Sequence, residues 1–131
     1  MAALLHLSEA LLGETEIRAV AEIAARVTAA TLGVDFAAVA VVEPGEDRVS
    51  LVATVGWPDE AVRRVQPVRL EETTALAHAV RTQMPVVIPD ESLASPYPAP
   101  EWITEMGVAA SLVAPMLVGG KALGGLVVNH R

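Results

Sequence analysis

The end of this chain, from Val108 to Asn129, constrains its fold more than any other segment. Two apolar runs of strand length, residues 108–117 and 122–128, flank the tight turn Gly119-Gly120-Lys121. Glycines between two such runs are typical of a β-hairpin. Alternate residues of a strand point to opposite faces of its sheet, and in the first run both sets are largely apolar. The hairpin is therefore predicted to lie in the centre of a sheet that is covered on both faces.

Composition limits the protein classes that such a sheet can belong to. The 131 residues fit one domain. A net charge of −7, from 16 acidic and 9 basic residues, argues against a nucleic-acid partner. The absence of cysteine excludes disulfides, thiolate catalysis and cysteine-ligated zinc. No segment matches a signal peptide or approaches the ~18 apolar residues of a membrane span, so we predict a cytoplasmic domain without a membrane contact.

The first residues predict a short helix. Residues 2–12 carry five leucines and precede Gly13, a natural residue to follow a helix end. Two of these leucines are one heptad apart, so the helix either caps the domain core or forms a seam with a partner subunit. Two turns do not distinguish these alternatives. The candidate dimer-interface residues are Leu4, Leu5, Leu11 and Leu12.

A longer helix is predicted from Glu16 to Leu32, with Thr15 as its N-cap and Gly33 after its end. Its large apolar residues recur at helical spacing and predict the face that is turned to the core. These residues are Ile17, Val20, Ile23, Ala24 and Val27, with Leu32 at the end. The charged residues Glu16, Arg18, Glu22 and Arg26 are predicted to face solvent.

The rest of the chain combines hairpins with short irregular segments. The pattern predicts strands over 36–42 and 49–55, a helix over 59–65 and an edge strand over 67–70. It then predicts a helix that is capped by Glu72 or Thr73 and runs to Gln83, a strand over 86–88, an irregular stretch over 90–100 and a helix over 101–106. No regular βαβ alternation is present. We therefore predict an α+β domain with a mainly antiparallel sheet, the N-terminal helices on one face and the irregular middle over the other.

Taken in order, these segments resemble a GAF domain, the small-molecule-sensing module of bacterial signalling proteins. The resemblance rests on Leu11-Leu12 with the helix ending Leu32-Gly33-Val34-Asp35, on Gly56-Trp57-Pro58, and on residues 76–90 and 111–126. A PAS domain, the nearest rival, does not usually open with a helix pair. The resemblance implies a profilin-like or PAS-like sheet of six antiparallel strands, with a ligand cavity on the face opposite the N-terminal helices.

The resemblance also implies a domain organisation. Residues 1–131 are expected to form a single GAF domain, in which 1–13 is a signalling or dimerisation helix and 14–131 is the core. GAF domains normally continue into a C-terminal helix, whereas this chain ends at Arg131 directly after its last predicted strand. We therefore expect a domain excised from a larger signalling protein.

Several cofactors of GAF domains can be tested against the residues. Covalent bilin needs a cysteine, as does the chemistry of the free methionine sulfoxide reductases, and this chain has none. The cyclic-nucleotide-binding signature needs Asn-Lys, but the one asparagine, Asn129, is followed by histidine. Haem would need a histidine ligand, and His6 and His130 are expected outside the cavity. His78 is a candidate, but a lone histidine on such a helix more often faces solvent, so haem is not favoured and the cofactor stays undetermined.

Three local motifs are not expected to carry chemistry. The acidic turn with Glu43, Glu46 and Asp47 lacks the D-x-D-x-D spacing of a calcium loop. The glycine-rich run 119–125 lacks the order of a phosphate loop, and its last two glycines are instead expected to let a helix pack closely on the sheet. Ser111 lacks the G-x-S-x-G context of a hydrolase. We therefore predict no catalytic residue and no metal site.

Aromatic residues point to the candidate ligand site. Three of the four aromatic residues fall in the irregular middle that should cover the cavity. They either fill space beneath loops or line an apolar pocket with a few polar groups, which is the usual design of a small-molecule site. The candidate ligand-binding residues are Trp57, Thr74, His78, Asp90, Tyr97, Trp102 and Ser111.

These observations predict a non-enzymatic sensory module. It would bind a small organic ligand, form a homodimer and control a linked output domain, for which the sensor histidine kinase of a two-component system is the first choice. One alternative is a ligand-free interaction domain whose pocket is closed by Trp57 and Trp102. A haem-binding gas or redox sensor is a further alternative.

Overall fold

The computed structural model describes residues 14–43, 45, 47–66, 68–91, 95–97 and 101–131. In chain order, the elements are helix α1 (Glu14–Leu32), strands β1 (Phe36–Val42) and β2 (Arg48–Val55), helix α2 (Asp59–Val65), strand β3 (Val68–Arg69), helix α3 (Ala75–Thr82), strand β4 (Val86–Ile88), helix α4 (Glu101–Glu105), and strands β5 (Ala110–Val118) and β6 (Lys121–His130). The helix predicted over 2–12, with its four candidate dimer leucines, lies outside the described residues.

The six strands form one sheet in the order β3-β2-β1-β6-β5-β4, and every neighbouring pair is antiparallel. The hairpin β5-β6 lies in the interior of this sheet, between β1 and β4. This position confirms the prediction made from its two apolar faces. The antiparallel sheet with helices also confirms the predicted α+β, GAF-like fold class.

Each face of the sheet has its own apolar core, which explains why the central strands read as continuous apolar runs. On one face α1 packs against β1 and β2, with Ala25, Ala37 and Val39 among the buried residues. On the other face α3 packs against β5 and β6, with Ala77 and Val113 buried between them. The sheet is thus covered as the sequence predicts.

The orientation of α1 contradicts the sequence prediction. The large residues Val20, Ile23 and Val27, predicted to face the core, are 48%, 55% and 57% exposed. The buried face instead carries alanines, which are Ala21, Ala25 and Ala29. Both stripes have helical spacing, so period alone does not select between them. The small side chains face inward because β1 is itself rich in alanine, and small residues on both surfaces let the helix backbone approach the sheet.

Helix α3 begins at Ala75, and its cap differs from the predicted cap, Glu72 or Thr73. Thr74 is its N-cap, because the Oγ1 of Thr74 accepts a hydrogen bond of 3.1 Å from the backbone N–H of Ala77. Smaller differences affect other ends, since α1 begins one residue before the predicted cap Thr15. Assigned helix ends commonly differ by one or two residues.

The two glycines at 124 and 125 allow two different close approaches. A Cβ on Gly125 would lie 2.7 Å from Cδ1 of Leu76 in α3, so this glycine lies where α3 contacts the sheet. A Cβ on Gly124 would lie 1.9 Å from the backbone oxygen of Ala40 in β1. Gly124 therefore serves strand packing rather than helix packing.

Candidate functional site

A cavity of about 380 Å³ lies on the sheet face opposite α1. Its size falls in the range of small-molecule sites. Strand residues contribute one wall, and α2, α3 and the segment 95–97 contribute the other. The apolar lining residues include Ala38, Leu51, Val113 and Val127 from the strands and Ala61, Leu76 and Ile103 from the helices.

Trp57 lines the cavity because the chain turns sharply just before it. Gly56 has φ +84°, and a Cβ there would lie 2.3 Å from the backbone oxygen of Asp35, so only glycine fits this turn. The indole of Trp57 then stacks on the buried ring of Phe36, with the ring centroids 4.2 Å apart and an angle of 24° between the planes. This stacking fixes the orientation of the indole at the cavity wall.

Tyr97 also lines the cavity, and His78 supports it from outside. The two rings have centroids 4.8 Å apart and are tilted by 44°. His78 is half-buried on α3 but is not among the residues that line the cavity. The histidine therefore holds the tyrosine ring, and the tyrosine contacts the cavity space.

Three lining residues, Glu91, Ser111 and Asn129, form a connected polar group that we call the polar end of the cavity. The Nδ2 of Asn129 donates to the Oγ of Ser111 at 2.7 Å, and that Oγ in turn donates to the Oε2 of Glu91 at 3.1 Å. Asn129 is only 8% exposed. Strand pairing places Asn129 beside Ser111, and the backbone N–H of Glu91 donates to Ala109 O at 2.7 Å, which brings the carboxylate to the same strand.

Charged side chains are few in the cavity lining. Besides Glu91, the lining includes Glu72 and Arg64. Arg64 forms an exposed ion pair of 3.0 Å with Glu60. Within the described ranges no ion pair involves Glu91. The cavity is therefore mainly apolar, with a polar end whose carboxylate has no cationic partner in the described part of the chain.

The structure brings together most of the predicted ligand-binding residues. Trp57, Thr74, Tyr97 and Ser111 line the cavity. The predicted residue Asp90 is exposed and outside the lining, whereas its neighbour Glu91 lines it. The side chain of Trp102 is not among those that the structure describes. Sequence reasoning missed Glu91 and Asn129, although a lone asparagine after an apolar strand was a usable signal.

The described residues offer neither a metal-binding cluster nor a membrane-spanning helix. They contain no group of three or more histidine, aspartate or glutamate side chains arranged to hold a metal ion. Among the same residues, no helix has both the length and the apolarity that crossing a membrane requires.

A family model described as "GAF domain" matches residues 16–131. A search of curated proteins found no significant match. Solved structures do match, and their identities of 20% or less make the likeness one of fold.

Three of these structures illustrate the range of the fold. The GAF domain of an Acinetobacter phosphoenolpyruvate-protein phosphotransferase is 20% identical with a TM-score of 0.69, and the alignment covers 85% of this chain and 63% of that one. NreA of Staphylococcus aureus, mutated in its nitrate-binding site, is 19% identical with a TM-score of 0.71 and coverages of 89% and 86%. The type II free methionine-R-sulfoxide reductase of Thermoplasma acidophilum is 20% identical with a TM-score of 0.67 and coverages of 86% and 73%.

Proposed function

Since this chain belongs to the GAF domain family, whose members are sensory and regulatory ligand-binding modules, we propose that its cavity binds a small organic ligand. One observation carries the proposal. An apolar cavity of about 380 Å³ ends in the polar group Glu91, Ser111 and Asn129. Mostly apolar walls with a few convergent polar groups are typical of small-molecule sites.

The bound ligand would act by shifting a linked output domain between states. Ligand binding changes such an equilibrium only when the ligand binds the two states with different affinity. GAF domains generally sit in multidomain proteins, and we propose a cytoplasmic sensor histidine kinase of a bacterial two-component system as the parent. The domain from the Acinetobacter phosphotransferase, of which this chain covers 63%, is one case of a GAF domain within a longer protein.

We further propose that the module is not an enzyme. GAF domains are generally non-catalytic, although the fold also occurs in the free methionine-R-sulfoxide reductases. Those enzymes use cysteine chemistry, and this chain has no cysteine. A reproducible turnover of methionine sulfoxide by the purified protein would contradict this proposal.

Native mass spectrometry of freshly purified protein, followed by thermal-shift screening of a metabolite library, tests the ligand proposal. We expect at least one compound that raises the unfolding temperature, because a ligand that binds only the folded state stabilises it. The stabilisation should be lost in Ala75→Phe, which places a ring in the cavity lining, and kept in Ala24→Phe, at an exposed position of α1. The absence of any co-purified or stabilising compound would contradict the proposal.

A second candidate function, self-association, is favoured by the exposed face of α1. Val20, Ile23 and Val27 expose about half of their surface along one side of the helix. Monomers seldom expose large contiguous apolar patches, and positions spaced by three and four residues suit packing against the same helix of a second copy. Light scattering tests this, and a monomer at all concentrations would contradict it.

A further inference from the structure

The chemistry of the three residues at the polar end of the cavity determines which of them donate hydrogen bonds and which accept them. An ionised carboxylate only accepts hydrogen bonds, so the single hydroxyl hydrogen of Ser111 must point to Glu91. Ser111 must then accept from its other neighbour, which assigns the amide NH₂ of Asn129 to that contact. The opposite amide orientation would place two acceptors against each other. The donors of this network are therefore directed along the chain Asn129, Ser111, Glu91.

Acceptors remain at the cavity once those donors are used. The Oδ1 of Asn129 and the Oε1 of Glu91 make no hydrogen bond to another described residue. Every fully buried side-chain polar atom in the described part of the chain has a partner, so these two oxygens retain accessible surface. Both residues line the cavity. A ligand group that reaches this end must bring its own donors.

The negative charge of Glu91 also favours a ligand group that donates hydrogen bonds. Glu91 is half-buried and forms no ion pair within the described residues. The one cation in the described lining, Arg64, is paired with Glu60. A cationic donor would form a charge-assisted hydrogen bond with the carboxylate, which is roughly twice as strong as a neutral one. An anion would instead meet the carboxylate of Glu91 and the amide oxygen of Asn129.

The aromatic part of the cavity lining suits an apolar body. Trp57, held by its stacking on Phe36, and Tyr97 both line the cavity. Aromatic rings prefer offset or edge-on contacts with other rings, and their faces also attract cations. A volume of about 380 Å³ accommodates a ligand body of one or two rings.

From these observations we propose that the cavity recognises a compound with a cationic, hydrogen-bond-donating nitrogen head, such as an ammonium or amidinium, on an aromatic or apolar body. Glu91 contacts the head directly and Asn129 offers a second acceptor. Ser111 is a positioning residue, because its hydroxyl orients both of them. This inference rests on the proposed function, since it assigns a ligand class to the same cavity.

Three matched probes test the proposal. Phenethylamine, phenethyl alcohol and hydrocinnamate share a phenyl ring and a short alkyl chain, and they differ in carrying an ammonium, a hydroxyl or a carboxylate. Dissociation constants are measured by NMR titration of backbone amide signals, which also report whether the cavity residues respond. We expect the wild-type domain to bind the amine about tenfold more tightly than the alcohol, the difference that one charged hydrogen bond supplies. The carboxylate should bind most weakly.

Two glutamine variants locate the preference. Glu91→Gln keeps the shape of the side chain and removes its charge, so the amine and the alcohol should then bind within about twofold of each other. Glu71→Gln removes a charge from an exposed residue outside the cavity lining and should retain the tenfold preference. Ser111→Ala should reduce the preference to an intermediate value. If the NMR signals of Glu91→Gln lack the dispersion of a folded domain, the binding preference of Ser111→Ala tests the proposal instead.

The outcomes separate this inference from the proposed function. Probes that bind without an ammonium preference, or a preference that survives both Glu91→Gln and Ser111→Ala, overturn the inference alone. A preference that is lost in Glu71→Gln and kept in Glu91→Gln also overturns it. Failure of all three probes to bind the wild-type domain, together with an empty metabolite screen, overturns the small-molecule site and this inference with it.

Discussion

Two substitutions two residues apart on α1 test which face of the helix is turned to the sheet. Ala25 is fully buried and packs over β1, whereas Ile23 is 55% exposed. We expect Ala25→Leu to destabilise the domain and Ile23→Ala to leave its stability almost unchanged. If the larger apolar side chains of α1 faced the sheet, as the sequence pattern predicts, Ile23→Ala would be the destabilising substitution and Ala25→Leu the neutral one.

The magnitudes follow from the burial of the two side chains. Adding three carbons to a packed helix-sheet contact at Ala25 should cost about 1–3 kcal/mol in unfolding free energy. Complete burial of an isoleucine is worth about 1.5–3 kcal/mol, and Ile23 has less than half of its surface covered, so its truncation should lose about 1 kcal/mol or less. The higher helix propensity of alanine offsets about 0.4 kcal/mol of this loss in unfolding free energy. A core isoleucine would instead cost about 2–5 kcal/mol.

Urea unfolding followed by circular dichroism measures both changes. The midpoint should fall for Ala25→Leu and stay within error for Ile23→Ala, and the slope should not change in either variant. Measurement at two protein concentrations a hundredfold apart separates folding from association, because only a dimer interface makes the midpoint depend on concentration.

A loss of 2 kcal/mol or more for Ile23→Ala at both concentrations, with Ala25→Leu unchanged, would refute the orientation of α1. A loss for Ile23→Ala that grows with protein concentration would instead identify the exposed stripe as a contact between two copies. In that case the second candidate function gains support, and the orientation of the helix still holds.

Two further predictions concern a helix cap and a titrating side chain. Thr74→Ala removes the acceptor that caps α3 and should lower the free energy of unfolding by about 1 kcal/mol. Thr73→Ala, at an exposed position, should leave the urea midpoint unchanged. Equal losses in the two variants would contradict the assigned cap. Hydrogen bonds from Ser50 and then Arg48 lower the pKa of Glu43, so its contribution to stability is present above the unfolded-state pKa and is lost as the pH falls through the lower folded-state pKa. Ser50→Ala should raise the pKa of Glu43 in an NMR titration of the carboxyl carbon, and an unchanged pKa would contradict the hydrogen bond.

Most strand positions could be predicted from the sequence because local signals mark them. Apolar runs bounded by turn residues located β1, β2 and the hairpin β5-β6, and their two apolar faces indicated a sheet covered on both sides. The sequence does not locate the start of α3 to the residue, since several polar residues precede Ala75 and any of them can cap a helix. Only the hydrogen bond to Thr74 selects one.

The candidate site was predicted in part. Trp57, Tyr97 and Ser111 were identified because aromatic and polar residues in the expected cavity segments are informative by type and position. Glu91 was missed in favour of its neighbour Asp90, because neighbouring carboxylates are equivalent in a sequence. The backbone hydrogen bond from Glu91 to Ala109 turns one of them to the cavity and leaves the other exposed.

Composition and contacts between near neighbours were thus enough to predict the order of the elements that the structure describes and the double burial of the central hairpin. The absence of cysteine also excluded cysteine chemistry from the sequence alone. The tertiary structure alone decided which stripe of α1 faces the sheet and which polar residues meet at the end of the cavity. Those outcomes depend on distances between segments far apart in the chain. Asn129 and Glu91 come within reach of Ser111 only after β4, β5 and β6 have paired.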